Sequence, residues 1–179
     1  MTAPRIAPGR RSDVGIPNWV VCRVLGKVGG TPPPNLFTTL GRHRRLFRGW
    51  LRFAGRLMPG GRLPRRETEL VILRVAHLRS CTYEWEHHVR LGRRAGVTAD
   101  ELERIQGDLD PDRWTSREAA ILTVVDELHA HGDLSDPTWD RLQAHLDDRL
   151  AIELVLLVGH YEMLATAITT LRIAPDPHR

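Results

Sequence analysis

The sequence has few cysteines, a single lysine and no long apolar run. Its 179 residues include only Cys22 and Cys81, too few for a disulfide scaffold. The longest apolar runs are short or interrupted by polar residues, which predicts that no segment spans a membrane. Arg5, Arg10 and Arg11 are not followed by the apolar stretch of a secretory signal. We therefore expect a reduced, cytoplasmic protein.

Acidic residues are almost absent from the first third of the chain. Residues 1–66 hold 14 arginines and lysines against the single acid Asp13, whereas residues 67–179 hold 12 against 21 acids. Such a basic segment can bind nucleic acid, or it can pack against the acidic part of its own chain or of a neighbouring subunit. Arginine outnumbers lysine 25 to 1, a bias that often reflects genome base composition. Nucleic-acid binding is therefore the less favoured interpretation.

The sequence also lacks convincing strand alternation, and its apolar residues recur at helical spacing. Helix-starting capping boxes begin at Thr98 and Thr115, and glycines follow several helical segments. About eight helices are predicted, and the fold class is all-α. The longest of them are Asn18–Val28, Asn35–Met58, Arg65–Leu78, the helix after Cys81, and Asp148–Leu171.

The domain organisation is predicted from a rigid break of three prolines after Thr31. Residues 1–33 are expected to form an extended basic N-terminal arm with a short helix. Residues 34–179 are expected to form a helical domain. Within this domain Arg65–Leu78 is apolar almost all round, which predicts that this helix is buried.

A thiol, a carboxylate and an imidazole recur at positions that share one helix face. Cys81, Glu84 and His88 stand at i, i+3 and i+7, so the three groups can point into one pocket. Glu84 and His88 can hydrogen-bond at i, i+4 and form an acid/base pair near neutral pH. Glu69 lies in the preceding helix and adds a third titratable group if it faces the same pocket.

The spacing Glu-x11-Cys-x2-[Cys/Glu]-x3-His resembles the motif of the carboxymuconolactone decarboxylase superfamily, which includes the alkylhydroperoxidase D-like (AhpD-like) proteins. The positions here are Glu69, Cys81, Glu84 and His88, within a resemblance that covers residues 59–173. It implies an α-helical fold, a homo-oligomer (dimer, trimer or hexamer) and a pocket among helices or between subunits. The peroxidase branch has a second cysteine where this chain has Glu84.

Each candidate residue also has a purely structural interpretation. Cys81 can be a small buried apolar residue, Glu69 an exposed carboxylate near a helix N-terminus, and Glu84 with His88 a surface pair. Further candidates for the substrate pocket, for which core packing is the alternative, are Tyr83, Trp85, His160 and Tyr161. Neither a metal nor another cofactor is predicted, since no paired histidine motif, phosphate cradle or nucleotide fingerprint is present.

The favoured function is proton transfer on a small organic acid or carbonyl compound, such as decarboxylation, elimination or isomerisation. Glu84 or His88 would move the proton. Arginines of the basic segment would bind the substrate's charge; the candidates are Arg42, Arg44, Arg45 and Arg48. The alternatives are a thiol peroxidase using Cys81, which a nearby carboxylate and a missing cysteine partner disfavour, and a non-catalytic oligomeric ligand-binding protein.

Overall fold

The computed structural model describes residues 3–29 and 32–176, and all regular structure in these residues is helical. The all-α prediction is therefore confirmed. The α-helices are α1 (Arg11–Val14), α2 (Ile16–Gly29), α3 (Asn35–Leu40), α4 (Arg44–Leu57), α5 (Arg65–Leu78), α6 (Thr82–Arg94), α7 (Ala99–Ile105), α8 (Ser116–His131), α9 (Asp136–Gln143) and α10 (Asp148–Leu171). A short 3-10 turn covers Pro111–Arg113.

Local capping signals set several helix ends. The side chains of Thr98 and Thr115 accept hydrogen bonds from the backbone N–H groups of Glu101 and Glu118. The carboxylate of each glutamate in turn accepts a hydrogen bond from the backbone N–H of its threonine. Helix α8 ends at Gly132, which adopts the left-handed conformation that glycine tolerates best. The bounds predicted for α5 and α10 match those observed.

The prediction of one helix over Asn35–Met58 is wrong. The chain forms α3 and α4 instead, with a break after Leu40. A Cβ atom at Gly41 would lie 2.8 Å from the carbonyl oxygen of Phe37 and 2.9 Å from a methyl of Val14. Close packing of Val14 against this turn therefore requires glycine. Val14 belongs to α1, a helix that lies where an extended arm was expected.

The chain divides into two compact units, residues 1–54 with 167–179, and residues 55–166. In the first unit, Val14, Cys22 and Phe47 form a buried cluster. Partly buried neighbours pack on that cluster, among them Trp19, Phe37 and Trp50. The predicted boundary at residue 33 remains a prediction.

The second unit is built around α5, which is buried on all sides from Glu67 to Ala76 as predicted. Two ion pairs join the start of α5 to the start of α8, and each helix contributes one arginine and one glutamate. Arg66 Nε lies 2.9 Å from Glu118, and Arg117 Nε lies 2.8 Å from Glu67. These half-buried pairs fix the register of the two helices, so α5 is a rigid support for the side chains it carries.

By length and composition alone, helix α10 is long and apolar enough to cross a membrane. The short apolar runs of the sequence did not predict such a helix. Half of its most apolar stretch is buried within the protein. Fully buried residues of α10 include Leu154, Leu157 and Val158. Burial of this kind is typical of the core helix of a globular protein.

Candidate active site

A tight turn between α5 and α6 brings the candidate residues together. Ser80 adopts a left-handed conformation with φ 49°, which is uncommon for a residue other than glycine. Cys81 follows as the N-cap of α6, and its N–H donates to the carbonyl of Ala76 at 2.8 Å. The turn folds α6 back against α5, so residues of the two helices meet inside the second unit.

Glu69 and His88 form a buried hydrogen bond across these two helices. His88 Nδ1 lies 2.7 Å from Glu69 Oε2, with relative exposures of 7% and 0% for the two residues. The other carboxyl oxygen of Glu69 lies 2.5 Å from a guanidinium nitrogen of Arg65. Because the carboxylate accepts, Nδ1 of His88 donates to Glu69, and Nε2 is the nitrogen that this hydrogen bond does not use.

Glu84 is buried, and the group beside its carboxyl is the weakly hydrogen-bonding thiol of Cys81. The residue is 3% exposed, and apart from this thiol neither of its carboxyl oxygens has a partner among the described residues. The pKa of Glu84 is raised to about 8, mainly by burial; the Cys81 thiol acts to lower this pKa, and the charge of Glu162 acts to raise it. Glu84 is therefore largely protonated at neutral pH.

The sequence-based expectation of a Glu84–His88 hydrogen bond is wrong. Both residues are buried on α6, but the imidazole Nδ1 is bound by Glu69 from α5. The i, i+4 spacing allows a pair only when neither side chain has a better partner. Here the fully buried Glu69 carboxylate is that partner for His88.

Cys81 lies beside Glu84 in surroundings that disfavour a thiolate. Burial, followed by the charge of Glu84, raises the pKa of the Cys81 thiol to about 12. Cys22 is packed in the core of the first unit, where burial raises its pKa to about 11. Both cysteines are free thiols.

Tyr161 of α10 joins the cluster. Its ring meets the His88 ring edge-on, with 5.3 Å between centroids, and its hydroxyl donates to the sulfur of Met58 at 3.7 Å. Burial raises the pKa of Tyr161 well above its usual value, and the charges of Glu84 and Glu69 act in the same direction. The neighbouring His160 is also buried, and burial lowers its pKa to about 4.

Tyr83 and Trp85 make other contacts. The Tyr83 ring packs against His87 with 4.9 Å between centroids. Trp85 packs on the core cluster that includes Leu70 and Leu73, and it meets His77 edge-on. For Trp85 the structure agrees with the core-packing interpretation.

The four arginines proposed from the sequence belong to the first unit. Arg42 lies 3.5 Å from Asp13, and Arg44 donates to backbone carbonyls of residues 12 and 13. Arg44 and Arg48 also line a cavity of about 650 Å³ within that unit. Sequence reasoning missed Arg65, although its i, i+4 spacing from Glu69 was a usable signal.

In the part of the chain that the structure describes, no group of three or more His, Cys, Asp or Glu side chains is arranged to hold a metal ion. The cluster that the chain does assemble consists of acid/base groups, two carboxyls and an imidazole, with a thiol and a phenol beside them.

Comparisons with known proteins relate part of the chain to one family and its fold to several solved structures. Residues 44–127 match the carboxymuconolactone decarboxylase family. Compared with curated proteins, the sequence has no significant match. Its fold is similar to that of an uncharacterized peroxidase-related protein from Silicibacter sp. TM1040, with TM-score 0.79, 16% identity, and 98% of this chain and 95% of that chain covered.

Two further solved structures are similar in fold. One is an alkylhydroperoxidase AhpD core protein, peroxidase-related, from Ralstonia eutropha JMP134, with TM-score 0.78, 17% identity, and 97% and 94% of the two chains covered. The other is the debrominase Bmp8, with TM-score 0.79, 16% identity, and 95% and 91% covered. The segment that matches the carboxymuconolactone decarboxylase family contains all four motif residues, and the likeness to the solved structures shows a shared fold.

Proposed function

We propose that the protein is an enzyme that transfers protons on a small organic acid or carbonyl compound, by decarboxylation, elimination or isomerisation. The observation that carries the proposal is the buried carboxyl of Glu84, with a pKa raised to about 8, on the same helix as the imidazole of His88. A carboxylic acid with a raised pKa and an imidazole, held in one buried cluster, are the two groups that such reactions need.

The two groups have separate roles in this proposal. His88 Nε2 accepts a proton from the substrate, because Glu69 holds the proton on Nδ1. Glu84 donates its proton to the carbanion or enolate that forms when a proton or carbon dioxide leaves. Glu69 orients the imidazole and offsets the positive charge that His88 gains. The buried Tyr161 ring forms one wall against His88.

A thiol peroxidase is the alternative, and two features of the chain weigh against it. A peroxidase needs a thiolate, whereas burial and Glu84 raise the pKa of Cys81 to about 12. A dithiol cycle also needs a second cysteine, and Glu84 occupies that motif position. A non-catalytic ligand-binding protein is the remaining alternative, in which Glu84 and His88 are dispensable.

A cytoplasmic homo-oligomer is proposed for the intact protein. Support comes from large apolar side chains that α10 exposes in the single chain, namely Ile152, Leu156 and Met163. Their spacing places them along one side of the helix, as in a subunit contact. Two free thiols suit a reducing compartment. The proposed partners are thus a small-molecule substrate and further copies of the chain, with neither membrane nor nucleic acid.

The test is proton exchange in D2O. The protein is incubated with a panel of small oxo acids, enol acids and lactone acids, and NMR follows deuterium incorporation and product formation. We expect exchange with the wild type and Cys81→Ser, and a loss of about 100-fold or more with Glu84→Gln or His88→Gln. Glu86→Gln, an exposed acid on the same helix, is the matched control. Equal activity of Glu84→Gln and the wild type would contradict the proposal.

A further inference from the structure

Arg65 connects the buried cluster with the protein surface. It begins α5, and its guanidinium lies 2.5 Å from Oε1 of Glu69, one turn further along the helix. The Arg65 side chain is 40% exposed, whereas the Glu69 side chain is fully buried. One end of this ion pair is therefore in contact with solvent and the other with the imidazole of the candidate active site.

Most hydrogen-bonding groups of Arg65 are available to a ligand. A guanidinium has five N–H donors in a planar fork, and one nitrogen of Arg65 faces Glu69. Its other nitrogens have no hydrogen-bonding partner among the described residues. Arg65 can therefore bind a carboxylate with two parallel hydrogen bonds while it keeps its contact with Glu69.

An anionic ligand can bind near this cluster only if a cation offsets the negative charge already there. Glu69 and Glu84 place two carboxyl groups there, and an approaching anion meets the negative charge of Glu69. Within the described ranges 3–29 and 32–176, Arg65 is the only arginine that pairs with either carboxyl. The charge of Arg65 also reaches Tyr161, whose ring meets the His88 ring edge-on.

We propose that Arg65 binds the anionic group of the substrate at the solvent-exposed end of its ion pair with Glu69 and thereby selects small carboxylates over neutral carbonyl compounds. This inference rests on the proposed function and narrows its substrate class. The contact of Arg65 with Glu69 sets the distance between the bound carboxylate and His88. The substrate's anionic group and its reacting carbon therefore take fixed positions along α5 and α6.

The test compares binding of acids with binding of their amides, and it does not require turnover. Titration calorimetry measures the binding affinities of succinate and benzoate and compares them with those of succinamide and benzamide. The amides match the acids in size but lack the charge. We expect the wild type to prefer the acids, and Arg65→Gln to bind the acids about 10- to 100-fold more weakly with little change for the amides. Arg65→Lys should retain part of the preference.

The control variant is Arg62→Gln, which removes a charge from an exposed arginine three residues away. If Arg65 only held Glu69 in place, Arg65→Gln would weaken the binding of acids and of amides equally. This result would overturn the inference. A wild type that binds the acids no better than the amides would overturn it too. Deuterium exchange is measured in a separate experiment. Acid binding without deuterium exchange would contradict the proposed function but would still support the role of Arg65.

Discussion

Glu69 and His88, 19 positions apart in the sequence, are joined by a buried 2.7 Å hydrogen bond between Oε2 and Nδ1. The bond fixes which nitrogen of His88 is protonated and which can act as a base. It also links α5, the buried central helix of the second unit, to α6, which carries Cys81 and Glu84. The acid/base properties of the site therefore depend on how these two helices pack.

The first prediction concerns the protonation of His88. Nitrogen NMR of labelled protein should show Nδ1 protonated and Nε2 unprotonated at pH 8, because Glu69 accepts from Nδ1. Glu69→Gln should weaken this preference and lower kcat by about 100-fold or more, since the imidazole loses its orienting carboxylate. A wild-type His88 protonated on Nε2 would contradict the assigned roles.

The second prediction concerns the stability of Glu84→Gln as a function of pH. Because the folded-state pKa of Glu84, about 8, exceeds the ordinary glutamate pKa of 4.5, the native protein binds the extra proton between these two pH values. Its stability therefore falls by up to about 1.4 kcal/mol per pH unit as pH rises through this window. Glutamine cannot ionise, so this contribution to the slope is absent from the variant.

Urea unfolding at pH 5, 6.5 and 8 measures this effect. The free energy of unfolding of Glu84→Gln minus that of the wild type should become more positive from pH 5 to pH 8. Glu86→Gln, which changes an exposed acid of α6, should show a difference that is nearly independent of pH. A flat difference for Glu84→Gln would mean that the Glu84 carboxyl is solvated or paired.

The third prediction is that Cys81 reacts slowly with peroxides. With a pKa of about 12, its thiolate fraction at pH 7.5 is very small. Intact mass after a short hydroperoxide pulse should show little oxidation of the wild type, and Cys81→Ser should keep proton-transfer activity. Rapid sulfenic acid formation at Cys81, with turnover by a thiol reductant, would instead favour the peroxidase alternative.

The fourth prediction concerns the turn that precedes the site. Ser80 has a φ of 49°, where a β-branched side chain is strained. Ser80→Val should lower the free energy of unfolding by about 1–2 kcal/mol, whereas Ser80→Gly should be close to neutral or stabilising. Urea unfolding tests both, with Thr82→Val in α6 as the control. A neutral Ser80→Val variant would show that the turn tolerates another conformation.

Much of the fold could be predicted because it depends on local signals. The capping boxes at Thr98 and Thr115 and the apolar periodicity of α5 and α10 act within a few residues of each other. The break at Gly41 was missed since its cause is distant in sequence. A methyl of Val14 packs against that turn, and no pattern in the sequence around Gly41 predicts this contact.

The sequence by itself determined which titratable groups share a helix, since the spacing of Cys81, Glu84 and His88 follows from helix geometry. Only the tertiary structure decided what these groups do. Packing of α5 against α6 brings His88 into hydrogen-bonding distance of Glu69 and buries Glu84 beside the Cys81 thiol. Burial then raises the pKa of Glu84, because desolvation penalises its charged form. Hydrogen bonding and desolvation both depend on neighbours from distant parts of the chain.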